Sequence, residues 1–178
     1  MTLVPVLETE RLIMREVKPS DFKPFAAFFA DEVSRFLGGP IDAIKAWRKL
    51  SLYAGQWSLN GFGQWALETK STGEFAGICG PWFPLGWNEK EISWVLMPGH
   101  YGKGYATEAA RRALQFAYQD LKWKTAISQI EPENVASIRV AERLGAKYEN
   151  DFSDDDWSGR VYRHLSPKEH AKVCNYDL

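Results

Sequence analysis

Cysteine is scarce in this chain. Cys79 and Cys174 are the only two, which excludes a disulfide framework and a Cys-rich metal site. The three histidines, His100, His164 and His170, lack metal-ligand spacing, so no metal is expected. Neither sign of charge dominates. Lys and Arg total 22 against 23 Asp and Glu, a formal net charge of -1, which argues against a dedicated nucleic-acid binder. Long apolar runs are also missing. The uncharged stretch Phe75 to Trp87 is too short to span a bilayer and is broken by Pro81 and Pro84. The opening MTLVPVLETERL has neither the basic start nor the apolar run of a signal peptide. The expectation is a soluble cytoplasmic protein without nucleic-acid or membrane partners. There is no repeat or low-complexity tract, and 178 residues suit a single domain spanning 1–178.

Aromatics, by contrast, are plentiful. They make up 14% of the chain and include eight tryptophans. Trp57, Trp65 and Trp82 fall in one region with Phe62, Phe75 and Phe83. Core packing is the ordinary use of such residues; an aromatic-lined ligand pocket is the sharper alternative.

Hydrophobic periodicity predicts an opening strand over Arg11–Val17 and a helix starting at Pro19-Ser20-Asp21, with Phe22, Phe25, Ala26 and Phe29 as its stripe. A second helix runs from Asp42 to about Trp57, with Ile44, Trp47 and Leu50 on one face. Strands follow over Gln64–Thr69, Glu74–Cys79 and Glu91–Met97, the first two joined by a hairpin turn. Then come a helix over Ala106–Asp120, a strand over Thr125–Ile130, and a helix over Val135–Leu144 whose inward face is Val135, Ile138, Ala141 and Leu144. A last hairpin joins Lys147–Phe152 to Arg160–Leu165, and the end from Ser166 to Leu178 reads as a polar tail. The order is that of a mixed α/β fold, not a regular βαβ repeat.

The most informative stretch is Val95-Leu-Met-Pro-Gly-His-Tyr-Gly-Lys-Gly-Tyr-Ala-Thr-Glu-Ala109. A strand ends, glycines follow, and a helix begins. Glycine lets the backbone turn sharply and approach a ligand closely. The first N–H groups of the helix have no internal partner, and with the helix dipole they favour a phosphate. A plain strand-to-helix turn would use the same residues. Two nucleotide signatures fail here. A Walker loop needs Ser or Thr after Gly-Lys, and Gly104 stands there; a dinucleotide fingerprint needs a third glycine where Thr107 stands.

The segment Glu91–Ala109 resembles the acetyl-coenzyme A signature of the GNAT N-acetyltransferases. Tyr101-Gly-Lys-Gly-Tyr-Ala-Thr-Glu-Ala109 is similar to the branch containing the RimJ/RimL ribosomal-protein N-terminal acetyltransferases. Glu8-Thr-Glu-Arg-Leu-Ile-Met-Arg15 resembles that branch's opening strand, and Glu133-Asn-Val-Ala-Ser-Ile-Arg-Val-Ala-Glu-Arg-Leu-Gly145 its later helix. The resemblance covers residues 8–165. It implies the GNAT fold, a twisted mixed sheet of six to seven strands splayed into a V and flanked by about four helices.

It also implies a site. Val95, Leu96 and Met97 would pair their backbone with the pantetheine arm of acetyl-coenzyme A. The turn of Gly102, Lys103, Gly104, Tyr105 and Ala106 would hold the pyrophosphate, with a hydroxyl from Thr107. Asn134 and Ser137 would face the thioester. The activity implied is acetyl transfer from acetyl-coenzyme A to a primary amine, by direct attack in a ternary complex. The acceptor is a protein N-terminus or a small-molecule amine, and a homodimer is compatible with the family. An alkyl amine is largely protonated at neutral pH, so something must accept a proton. Glu91 is the candidate base. Where many family members place a tyrosine as proton donor, this chain has Ala141, which leaves Ser137 as the candidate acid and Tyr148 as a weaker one. That replacement keeps open a non-catalytic acetyl-coenzyme A-binding module. The acidic run Asp154-Asp155-Asp156 could attract a cationic acceptor, although a solvated acidic turn is the commoner use of such a run.

Overall fold

The computed structural model describes residues 4–153 and 158–178. Eight strands form one sheet among these residues, in the order β1-β2-β3-β4-β5-β6-β8-β7. They are β1 Leu7–Glu8, β2 Leu12–Arg15, β3 Trp65–Thr69, β4 Phe75–Trp82, β5 Glu91–Leu96, β6 Ile127–Ile130, β7 Lys147–Ser153 and β8 Ser158–Arg163. Five α-helices accompany them: α1 Phe22–Phe29, α2 Ala43–Asn60, α3 Tyr105–Gln119, α4 Val135–Arg143 and α5 Pro167–Cys174. The mixed α/β architecture is the expected one. It has one strand and one helix more than the resemblance implies, because the opening segment is a short hairpin and the polar end is helical. Ser166 and Glu169 make a reciprocal capping box that starts α5, and Pro167 sits at its first turn.

Every pairing is antiparallel except β5 with β6, which run parallel and are in ladder register only at Glu91 opposite Ile127. Beyond that point the two strands part, and this is the V. Ser128 Oγ stitches the parting, donating to the Ile92 carbonyl at 2.6 Å.

The sheet is covered on both faces. On one, the alanines of α3 (Ala109, Ala110, Ala113 and Ala117) are fully buried against Leu12, Met14, Leu67 and Ile92. Small side chains let this helix lie close to the sheet, and Trp57, Trp65 and Phe116 fill the remaining space edge to face. On the other face, Phe25 and Phe29 of α1 and Leu50 and Tyr53 of α2 pack on Ile78 and Val95. The inward face of α2 is therefore Ala46-Leu50-Tyr53-Trp57, and Trp47 is 49% exposed, contrary to the expected stripe. Val135, expected inward on α4, is also 49% exposed, because it sits at the open first turn. Arg15 ties the sheet to the start of α1 through a buried fork onto Asp21, with bonds of 2.8 and 2.9 Å, and its Nε donates to Glu68 of β3 at 2.6 Å.

Candidate active site

Between the diverging strands and the helix N-termini lies a cleft of about 1030 Å³. Its floor is the outer half of β5. Antiparallel pairing sends the backbone groups of alternate residues to opposite sides. Met97 N–H donates to the Ala76 carbonyl of β4, and on the other side Lys90 and Ile92 carbonyls accept from β6 residues. By this alternation the backbone of Val95 serves β4, while that of Trp94 and Leu96 faces the gap that β6 has left. Trp94, Val95 and Leu96 line the cleft. Met97 does not line it: it is buried and its N–H is already used. Met97, and Val95 as far as its backbone is concerned, are thus corrections to the sequence reading, and Trp94 is what that reading missed. The signal was available, since a strand paired on one edge offers only every second residue to the other.

The turn Gly102, Lys103, Gly104 and the start of α3 (Tyr105, Ala106, Thr107) form the end wall. Gly104 is the N-cap of α3, with φ +83°, and provides no side chain to cap the helix. The first internal bond of this helix is Glu108 N–H to the Gly104 carbonyl, so the preceding N–H groups lack a helical acceptor. Thr107 Oγ1 is buried without a hydrogen-bond partner. A buried hydroxyl without a partner costs free energy unless a ligand satisfies it. Arg111, Arg139 and Arg143 stand around the same cleft. Unpaired amides, an orphaned hydroxyl and cations together suit a phosphate-bearing ligand.

The opposite wall is α4. Asn134 is its N-cap, and its Oδ1 accepts from Ser137 N–H at 3.2 Å. Ser137 Oγ in turn accepts from Trp94 Nε1 at 3.3 Å. Asn134 and Ser137 border both the cleft and a small adjoining cavity of about 50 Å³, which Glu91 also lines. Glu91 is buried at the apex of the V. Its Oε2 accepts from Trp87 Nε1 at 2.7 Å and its Oε1 from Gln129 N–H at 3.2 Å. Burial pushes its carboxyl up from 4.5 to about 7, and the two hydrogen bonds oppose that shift only partly.

Other candidates fall elsewhere. Ala141 is fully buried on the inner face of α4. Tyr148 is 53% exposed, meets Tyr162 edge to face and does not border the cleft. Trp57 and Trp65 are core, not pocket. Trp82 packs between Tyr53 and Trp87, tilted on the first and edge-on to the second, and pairs with Glu91 across β4 and β5. Phe36 and Leu37, in a 3₁₀ segment over Glu32–Leu37, border both cavities. The acidic run Asp154–Asp156 lies outside the described residues.

Comparison with known proteins decides the family. The acetyltransferase (GNAT) domain model matches residues 11–147. The chain belongs to the GNAT acetyltransferase family. It is an acetyl-coenzyme A-dependent acetyltransferase by that membership. It is similar to a solved acetyltransferase from Agrobacterium tumefaciens, with a TM-score of 0.85 and 34% identity over 91% of this chain and 95% of that one. Among curated relatives, the uncharacterized N-acetyltransferase YoaA of Bacillus subtilis is 27% identical over 94% of this GNAT chain and all of its own length. The uncharacterized protein YkkB of the same organism is 40% identical over 90 residues, and there the match spans about half of the relative (52%). No helix of the described residues is long and apolar enough to cross a membrane.

Proposed function

We propose that this GNAT protein transfers the acetyl group of acetyl-coenzyme A to a primary amine, by direct attack with both substrates bound. The observation that carries the reading is the placement of Glu91. A buried carboxyl titrating near 7 borders a narrow cavity that joins the cleft at Asn134 and Ser137. A proton acceptor of that strength suits an ammonium that must become a free amine.

The residues present fit acetyl-coenzyme A. The backbone amides of Gly104 to Ala106 and the Thr107 hydroxyl would hold the pyrophosphate, and the outward backbone of Trp94 and Leu96 the pantetheine arm. Bound there, the ligand supplies an acetyl thioester. Glu91 takes the proton of the acceptor ammonium, directly or through one water. A backbone N–H on the open side of β5 is positioned to stabilise negative charge on the thioester oxygen. The amine attacks the thioester carbonyl, and as the C–S bond breaks Ser137 Oγ–H, oriented by the Trp94 indole, relays to the departing sulfur the proton that the newly acetylated nitrogen loses. The small cavity admits only a slender amine end, so the body of the acceptor lies outside it, past Phe36 and Leu37. A protein N-terminal α-amine or an unbranched small-molecule amine fits that shape.

The test is thiol release from acetyl-coenzyme A with N-terminal peptides, polyamines, aminoglycosides and amino acids. Release that depends on a slender acceptor is expected. Tight coenzyme A binding without release for any of them would favour the non-catalytic binding module, the reading that buried Ala141 keeps in play.

A further inference from the structure

The opening motif Thr9-Glu10-Arg11 is not needed for the chemistry above, yet it grips the phosphate-binding turn from 90 residues or more away in sequence. The Glu108 carboxylate, in the first turn of α3, accepts from Thr9 Oγ1 at 2.5 Å, from Arg11 N–H at 2.8 Å and from Arg11 Nε at 2.7 Å. Arg11 Nη2 pairs with the same carboxylate at 2.5 Å. Arg11 Nη1 donates to the Lys103 carbonyl at 2.8 Å, and the guanidinium lies 4.9 Å from the Tyr105 ring centre. All three faces of the guanidinium fork are thus engaged within the protein.

The bond to Lys103 has a geometric consequence. A trans peptide holds its carbonyl oxygen and the following N–H on opposite sides of the chain. Fixing the Lys103 carbonyl toward Arg11 therefore turns the Gly104 N–H away from it. Gly104 is the residue whose φ of +83° only glycine adopts easily. A free glycine turn would sample other peptide orientations, and this contact selects one. Glu108 holds Arg11 in place, although a carboxylate beside a phosphate site is by itself unfavourable.

We propose that Thr9, Arg11 and Glu108 form a clasp that sets the peptide orientation of the Gly102–Gly104 turn for coenzyme A, with Arg11 a positioning residue and not a phosphate ligand. This rests on the reading that the turn holds the pyrophosphate. The clasp and a simple charge effect predict opposite signs for one variant. Glu108→Gln removes a negative charge near an anion site, so electrostatics alone would tighten coenzyme A binding. The clasp predicts looser binding, because Arg11 loses its anchor.

The experiment is calorimetric titration of coenzyme A and of 3′-dephospho-coenzyme A into wild type, Glu108→Gln and Arg11→Lys, with thermal unfolding of each ligand-free protein. Both variants are expected to bind both ligands about tenfold more weakly, with KM for acetyl-coenzyme A raised and kcat at saturation within about twofold. Unchanged or tighter binding by Glu108→Gln overturns the clasp, as does lower unfolding temperature without weaker binding. Should Glu108→Gln not fold, Arg11→Lys decides on the same criteria. A loss in Arg11→Lys seen with coenzyme A and absent with the dephospho form makes Arg11 a direct 3′-phosphate ligand and also overturns the proposal. Failure of wild type to bind either ligand sinks the pyrophosphate reading itself, a result distinct from the others.

Discussion

Glu91 of β5 reaches across the parting of the sheet to Gln129 of β6, whose backbone N–H donates to Oε1 at 3.2 Å. The Glu91 carboxylate at the apex of the V thus belongs to both arms. It also lines the small cavity that adjoins the cleft. Its position explains both its burial and its raised pKa.

A pH dependence follows. With Glu91 titrating at about 7, kcat/KM rises with pH to a plateau above that value as the carboxylate forms. Glu91→Gln removes that ionisation and lowers kcat by roughly 10²–10⁴. Rate profiles of both proteins from pH 5.5 to 9 check it; an identical limb in the variant contradicts the assignment.

The same group affects stability with the opposite sign. Its folded pKa, about 7, is above its ordinary 4.5, so between these values the folded state keeps a proton that the unfolded state has lost. Stability therefore falls as pH rises through that window, and the full penalty is present above 7. Glu91→Gln is free of it. The expected result is a Tm advantage of Glu91→Gln over wild type that grows from pH 5 to pH 8.

Thr107→Val separates binding from folding. The buried hydroxyl has no partner in the protein, so its removal leaves the ligand-free Tm unchanged or raised. Coenzyme A affinity falls by roughly 0.5–1.5 kcal/mol, the value of one hydrogen bond. Titration and unfolding of one preparation measure both.

Ser137→Ala tests the acid. Ser137 Oγ is held by Trp94 Nε1 at 3.3 Å, and the cap on α4 uses Ser137 N–H, not its hydroxyl. The helix therefore keeps its cap. The expected outcome is a kcat about tenfold or more lower, with KM for acetyl-coenzyme A little changed.

Asp21→Ala addresses the frame. It takes from the buried Arg15 guanidinium the carboxylate it forks onto at 2.8 and 2.9 Å, leaving Glu68, on Nε, as its counter-ion. Removing one partner of a buried ion pair costs about 3–5 kcal/mol when the other is left unpaired; with Glu68 retained the expected loss is at or below the low end of that range, about 3 kcal/mol, read as a lowered denaturant midpoint with an unchanged slope.

Much of this was legible in the sequence because the period of the pattern decided it. The alanines of α3 recur at helical spacing and all face the sheet, and the Gly102–Gly104 turn announced an open helix N-terminus. What escaped depends on neighbours distant in the chain. Whether the backbone of Val95 or of Trp94 faces the cleft follows from which edge of β5 the strand β4 occupies. That Arg11 contacts Glu108, or that Gln129 contacts Glu91, is set by topology alone. Helix α5 was missed for a different reason. Its capping box, Ser166 to Glu169, was readable, but a polar composition near the end hid the buried stripe of His170 and Ala171.

The most direct test of the account is steady-state thiol release with acetyl-coenzyme A and a slender primary amine varied together. Saturation in both substrates with intersecting reciprocal plots is predicted, together with loss of turnover in Glu91→Gln while coenzyme A still binds. Parallel plots, or Glu91→Gln turning over like wild type, would contradict direct transfer with Glu91 as base.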